Sequence, residues 1–370
     1  MSRWQKFTVK VGELATGHEL TLPVFRFEGR DPAAPSVYIQ ANVHGAEVQG
    51  NAVIFQLMKR LEQLDLLGRI TLVPLANPLG INQKSGEFTL GRFDPITGVN
   101  WNREYQDLTP ELPQWFDAHR HLEPAAMLQA YRQHLLAQCE RQLASPWGVT
   151  TGRRLALSLQ AMAHRADIVL DLHTGPKSCK HLYCPGYAKD AARLFAIPCV
   201  LLMPNEFGGA MDEAAFYPWW QLAQYASNQG MDMPPAVEAF TLELGSQERI
   251  DLQDAQQDCD GILAYLTSRC VVNGSMAAKT MTRYACELRD YRKYHSPVGG
   301  LVEYLATPGH PLPAGEPLAR ILRPDRFGHQ DEQRLLCLDE DVIPVLHFAS
   351  ASVYQGTELY KVMTRVTQLT

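Results

Sequence analysis

One stretch limits the fold more than any other: Val37-Tyr38-Ile39-Gln40-Ala41, running into Asn42-Val43-His44-Gly45-Ala46-Glu47. Its opening apolar run, Val37 to Ile39, has the length of a buried strand. Beyond the turn, Val48, Val53, Ile54, Leu57, Met58 and Leu61 recur at helical spacing, which predicts a helix to about Leu67. Gly68 to Ala76 is a second apolar run. Strand, helix and strand at this spacing form a β-α-β unit, and such a crossover implies parallel strands. His44 and Glu47 therefore sit where a parallel strand ends and a helix begins, a common place for chemistry. An imidazole and a carboxylate three positions apart can share one metal ion, and catalytic zinc in hydrolases is often held by two His and one Glu. A solvated helix start has the same local sequence.

Composition narrows the function classes. The formal net charge of -6 offers no basic excess for a nucleic-acid partner. No apolar run approaches the roughly 18 residues that a membrane span requires. The opening Met1-Ser2-Arg3-Trp4 lacks the apolar centre of a secretory signal. Eight cysteines scattered through a long chain argue against a disulfide framework, and Cys179 and Cys184 read as free thiols. A cytoplasmic enzyme fits these features, with homo-oligomerisation left open.

Other segments extend the pattern. Residues 7–27 alternate as two antiparallel strands around Thr16-Gly17. Residues 77–106 are irregular and rich in Gly, Asn, Pro and Asp; so long a loop inside a compact domain is usually functional or disordered. An interrupted helical insertion spans 107–150, and a helix is expected over Gly152 to His164, with His164 read as a surface residue. Strands are predicted at 167–175, 198–203 and 237–245, and helices at 188–195 and 251–272. The aromatic group Phe216, Tyr217, Trp219 and Trp220 reads as core or cleft wall. Near Met281 short strands separated by Gly and Pro take over, with Pro308-Gly309 and Ala314-Gly315 read as hairpin turns. The expected organisation is an α/β domain over 1–285, with a mixed, largely parallel sheet flanked by helices, and a small all-β domain over 286–370.

Two distant segments supply further chemistry. Asp171-Leu172-His173-Thr174-Gly175 closes a strand, and Asp171 shares its parity with His173. Asp171 either orients an imidazole or satisfies backbone groups; the sequence does not choose. In Phe240-Thr241-Leu242-Glu243-Leu244-Gly245, Thr241 and Glu243 share one face. A carboxylate in a buried strand is costly unless it is paired or functional. Beside a metal, Glu243 would be placed to move the proton of the attacking water.

Taken together, His44-Gly45-Ala46-Glu47, Asn102-Arg103, Asp171-Leu172-His173 and Glu243-Leu244-Gly245 resemble, in order, the succinylglutamate desuccinylase/aspartoacylase family of carboxypeptidase A-like zinc hydrolases. The resemblance covers roughly residues 35–250. It implies one Zn2+ per chain on His44, Glu47 and His173, with Glu243 as the catalytic glutamate. It also implies Arg92 as the arginine that polarises the scissile carbonyl, and Asn102 and Arg103 as the grip on a carboxylate-bearing small molecule. The family usually has an acidic residue and a Leu before its Asn-Arg pair; here the sequence is Asn100-Trp101-Asn102-Arg103. The activity so implied is hydrolysis of the amide bond of a small N-acyl amino acid. A metallocarboxypeptidase acting on peptides would use the same ligands. A metal-stabilised binding protein is the rival from another class, against which the base Glu243 argues.

Overall fold

The computed structural model describes residues 4–369. In chain order it begins with β1 (Trp4–Glu13), β2 (Glu19–Phe27), β3 (Val37–Ala41), α1 (Gln49–Leu61) and β4 (Ile70–Val73), then a small hairpin of β5 (Lys84–Ser85) and β6 (Phe88–Thr89). A 3-10 turn at Trp101–Arg103 precedes α2 (Leu112–His119), α3 (Pro124–Leu143) and α4 (Thr151–Ala163). Next come β7 (Ile168–Gly175), β8 (Lys177–Ser178), β9 (Lys180–Pro185), a 3-10 segment at Gly186–Arg193, β10 (Cys199–Met203), α5 (Met211–Asn228), β11 (Glu238–Ser246) and α6 (Leu252–Ser268). The remainder is β-rich: β12 (Arg283–Glu287), β13 (Tyr291–His295), β14 (Gly300–Tyr304), β15 (Pro317–Leu322), β16 (Gln333–Cys337), β17 (Ile343–His347), β18 (Ser352–Val353), β19 (Glu358–Met363) and β20 (Thr367–Leu369).

A ten-stranded sheet organises the molecule, in the order β1-β2-β4-β3-β7-β11-β9-β10-β12-β20. Its centre, β4-β3-β7-β11, is parallel, as the crossover through α1 requires. Every residue of β3 and β7 is buried, because helices cover both faces. On one face α1 and α6 contribute Val53, Ile54, Leu57, Ile262 and Leu266 to the core. On the other, α3, α4 and α5 contribute Tyr131, Leu135, Leu155, Phe216 and Trp219. Each such fully buried side chain contributes about 1.5–3 kcal/mol. Phe216 and Trp219 are thus core, while Tyr217 and Trp220 pack partly buried at its margin.

Beyond β12 the chain builds two four-stranded sheets, β13-β19-β17-β8 and β16-β15-β14-β18. The first borrows β8 from the segment beside the central sheet. The chain then returns, and β20 pairs with β12 at the edge of the large sheet.

Several expectations need correction. α1 stops at Leu61 rather than near Leu67, because the backbone of Leu66 and Leu67 is taken by Arg30 and Val271. His164 is buried, with Nε2 against Gln160 of the same helix, so it is not a surface residue. Pro308-Gly309 and Ala314-Gly315 both lie in the one long connection between β14 and β15, not at separate hairpins. Cys179 and Cys184 are free thiols, as read, and the Cys179 thiol faces Cys199, Sγ to Sγ at 3.9 Å.

Candidate active site

The site forms where β3, β7 and β11 end side by side. The turn after β3 is shaped by two asparagines. Asn42 takes a left-handed backbone (φ 70°), a conformation Asn tolerates, and its side-chain amide donates to the carbonyls of His44 and Gly45 at 3.0 and 3.2 Å. Asn77 donates to the Val43 carbonyl at 2.8 Å and accepts from the Gly80 amide at 2.9 Å. Gly45 must be glycine, since a Cβ there would lie 2.0 Å from the Gly80 carbonyl oxygen. Its amide donates to the Gly91 carbonyl at 2.8 Å, which places Arg92 over the turn.

Glu47 does not cap α1, whose N-terminus has no side-chain cap. Its carboxylate points inward instead. Oε1 lies 2.9 Å from His44 Nδ1 and 2.6 Å from Arg92 Nη2; Oε2 lies 2.7 Å from His173 Nδ1 and accepts from the Thr174 amide at 3.2 Å. One ligand atom from each of His44, Glu47 and His173 falls within 4.8 Å of the others, and all three residues are buried.

The far nitrogens of the two rings are also occupied. His44 Nε2 lies 2.8 Å from Asn100 Oδ1, and His173 Nε2 lies 2.8 Å from Asp171 Oδ2. Asn100 Oδ1 also accepts from the Asn102 amide, so it is an acceptor and Nε2 of His44 is the donor. Asp171 is held by Gln40, whose amide donates to Oδ1 at 2.9 Å, and Gln40 accepts in turn from the Tyr38 hydroxyl at 2.8 Å. Of the two roles left open for Asp171, its contacts are with a ring and a side-chain amide rather than with backbone. With protons fixed on both Nε2 atoms, each Nδ1 aims a lone pair at a carboxylate oxygen. That arrangement repels itself unless a cation sits among the three groups. The donor set therefore fits a divalent metal ion.

Electrostatics follow the same logic. Burial works against ionising Glu47, but the charges of His44 and Arg92 and the imidazole hydrogen bonds outweigh it, holding the carboxyl well below its usual range. Burial also opposes a charge on His173, yet Asp171 and Glu47 together lift it well above an ordinary histidine. Burial lowers His44 despite Glu47.

Glu243 stands beside His173 across the β7–β11 pair, and Thr241 beside Asp171, so all four share one face. Glu243 Oε2 is covered and has no hydrogen-bond partner. Burial, and then the Glu47 charge, push Glu243 up to about 7. Asn102 Oδ1 accepts from the Met211 amide at 3.3 Å, and Arg103 is exposed beside Gly209 with Nη1 on the Asn102 carbonyl at 2.5 Å. A cavity of ≈ 170 Å³ joins these groups: His44, Glu47, Arg92, Asn102, Arg103, His173 and Glu243 all line it. The residues read in the sequence as ligands, base and carboxylate grip, together with Arg92, thus border one cavity.

Other participants were missed. Asn100 was visible only as a departure from a pattern, and its contact with His44 follows from the 3-10 turn it opens. Lys361, on β19, lines the cavity from the β-rich part of the chain. Glu248, left-handed at φ 60°, donates its amide to the Ala46 carbonyl and accepts from the Thr89 amide at 2.5 Å. It thereby ties together the ligand turn, the Arg92 loop and the segment after β11.

Comparison with known proteins agrees with this architecture. The succinylglutamate desuccinylase/aspartoacylase catalytic domain matches residues 33–269. The chain belongs to that family. A protein of Shewanella frigidimarina named for the same two activities is 60% identical, with a TM-score of 0.98 over 100% of this chain and 99% of its own. A family protein of Shewanella amazonensis is 63% identical, with a TM-score of 0.97 over 99% of this chain and 100% of its own. A Rhodobacter sphaeroides succinylglutamate desuccinylase/aspartoacylase shares the fold at 18% identity, with a TM-score of 0.68 over 98% of this chain and 95% of its own. A search of the curated proteins found no match. Membership and these neighbours indicate a deacylase-like hydrolase. Among the described residues no helix is long and apolar enough to cross a membrane.

Proposed function

We propose that the protein is a zinc-dependent deacylase that hydrolyses the amide bond of a small N-acyl amino acid. The observation that carries this is the convergence of three buried ligand atoms with an unpartnered carboxylate oxygen of Glu243 in one small cavity. One Zn2+ held by His44 Nδ1, Glu47 and His173 Nδ1 would polarise the substrate carbonyl and make water acidic at neutral pH. Asp171 and Asn100 fix the two imidazoles in the tautomer that leaves Nδ1 free to bind. Glu243 takes the proton of the attacking water and returns it to the leaving amine. The Arg92 guanidinium, already against Glu47, lies where negative charge gathers on the carbonyl oxygen. Asn102 and Arg103 hold the substrate carboxylate, for which the planar fork of an Arg is well matched. A volume of ≈ 170 Å³ supports a small substrate rather than a peptide tail.

The reading carries with it a cytoplasmic location, supported by eight free cysteines. Metal analysis and a Glu243→Gln variant test it. The wild type should retain about one zinc per chain, and the variant should keep that zinc while losing roughly a hundredfold or more in kcat. Near-normal turnover by the zinc-loaded variant would overturn the mechanism.

A further inference from the structure

Glu243 has a second histidine beside it. β11 lies between β7 and β9, and Glu243 stands opposite His173 on the first and opposite His181 on the second. Residues opposite each other on neighbouring strands share a face, so the three form one row across the sheet. His181 is buried and takes no part in the proposed hydrolysis. Its Nδ1 lies 3.2 Å from the Cys179 carbonyl oxygen and 3.4 Å from Ser178 Oγ. A carbonyl oxygen only accepts, so Nδ1 carries the hydrogen. Burial pushes the ring down to about 4, so it is neutral and Nε2 bears a lone pair. That nitrogen is covered and has no hydrogen-bond partner.

Glu243 Oε2 is the matching case, covered and unpartnered on the next strand. The other groups around it are already engaged. His173 has Nδ1 on Glu47 and Nε2 on Asp171. The Thr241 hydroxyl bonds to Asp212, and the Tyr291 hydroxyl to that of Tyr183. The Lys361 ammonium lies 3.7 Å from Glu358 and 5.9 Å from the centre of the Tyr291 ring. What remains beside Oε2 is His181 Nε2. Buried polar atoms are rarely left unsatisfied, so two such atoms in adjacent positions call for one explanation. Both are acceptors, a carboxylate oxygen and a ring lone pair, and cannot bond to each other. One water satisfies them together by donating a hydrogen to each.

We propose that His181 is a positioning residue for Glu243, its Nε2 and Glu243 Oε2 sharing one buried water that turns Oε1 toward the metal ligands. A free carboxylate rotates about its last bond and offers either oxygen in any plane. Engaging Oε2 from behind fixes that plane and leaves Oε1, on the cavity side, as the base. A base misplaced by about 1 Å costs about a hundredfold in rate. The Cys179 carbonyl belongs to the same device, because it decides which ring nitrogen keeps its lone pair. The inference rests on the deacylase reading for what Glu243 does, but not for how its carboxylate is held.

Two substitutions divide the ring. His181→Asn keeps a donor for the Cys179 carbonyl and removes the acceptor beside Glu243. His181→Gln keeps that acceptor and gives up the donor. The zinc-loaded proteins are assayed with the best substrate from a panel of N-acetyl and N-succinyl amino acids. His181→Asn should lose about thirtyfold in kcat, with KM and zinc content within about twofold of the wild type. His181→Gln should stay within about threefold in kcat, even where its melting temperature falls. Wild-type kcat in His181→Asn overturns the proposal. So does an equal or larger loss in His181→Gln, which would mark a structural residue, and so does a loss in His181→Asn that appears in KM or zinc content. A high-resolution crystal structure of the zinc-loaded wild type reads the same point without turnover and without a variant. It should show a water within hydrogen-bond distance of both Glu243 Oε2 and His181 Nε2; Oε2 resting on any other group overturns the proposal. If that water is seen but the wild type hydrolyses none of the panel, the positioning stands and the deacylase reading falls.

Discussion

Asn100 and Asp171 perform the same geometric task with different charge. Each accepts from the far nitrogen of a buried imidazole at 2.8 Å, one as a neutral amide and the other as a carboxylate. A carboxylate makes its histidine more basic and a better ligand. Asp171→Asn should therefore weaken zinc binding by about 10–100-fold, and Asn100→Ala by less, measured by competition with a chromophoric chelator. Glu243 gives a second prediction at this scale. Its folded form holds a proton up to about 7, whereas the unfolded chain releases it near 4.5. The folded state therefore binds the extra proton, and stability falls as pH rises through that window. The melting temperature of metal-free Glu243→Gln should gain on the wild type as pH rises from about 5 to about 8. Equal differences at both ends would show that Glu243 is not held protonated. At this scale much was legible: His44, Glu47, His173 and Glu243 announce themselves as polar residues at the ends of apolar strands. Asn100 did not, because an amide reads as loop chemistry until a 3-10 turn aims it at a ring.

Glu248 shows how separate elements are held in register. Its carboxylate accepts from Thr89, three residues before Arg92, while its amide holds Ala46, the neighbour of Glu47. A non-glycine residue in the left-handed region costs about 1–3 kcal/mol and persists where its surroundings require it. Glu248→Ala should speed amide exchange at Thr89 and lower kcat about tenfold with zinc content unchanged. Glu248→Gln, which keeps an acceptor for the Thr89 amide, should restore most of both. Glu248→Gly relieves the backbone, so its melting temperature should hold while its activity falls with the alanine variant. The β-α-β unit around α1 could be read from periodicity alone, because strand and helix repeats differ. The end of α1 could not, since Leu64, Leu66 and Leu67 continue the apolar pattern and distant backbone partners on Arg30 and Val271 decide where the helix stops. His164 is the same case: a helical repeat does not tell that its ring will meet Gln160 inside the core.

At the scale of the molecule, Lys361 joins the β-rich sheets to the cavity. Alternation along β19 says only which residues share a face, so nothing in the sequence marked this lysine as a neighbour of Glu243. Lys361→Ala should raise KM about tenfold with zinc content unchanged, as expected for loss of one charge-assisted contact to substrate. We also propose residues 286–370 as a structural unit that the rest cannot spare. A chain cut after residue 285 would lose β17 from β8 and β20 from β12. Gel filtration of that fragment should show aggregates, and a monodisperse, zinc-binding fragment would count against the proposal. The chain leaves the large sheet through β12 and comes back through β20, two adjacent hydrogen-bonded strands, while Ser178 and Leu346 stitch a third point. A body fastened at three places has no single axis about which to swing. We infer that the span between Lys361 and the side chains of His44, Glu47 and His173 is then a set gauge, one that would sort incoming molecules by length rather than by how far it can be prised open.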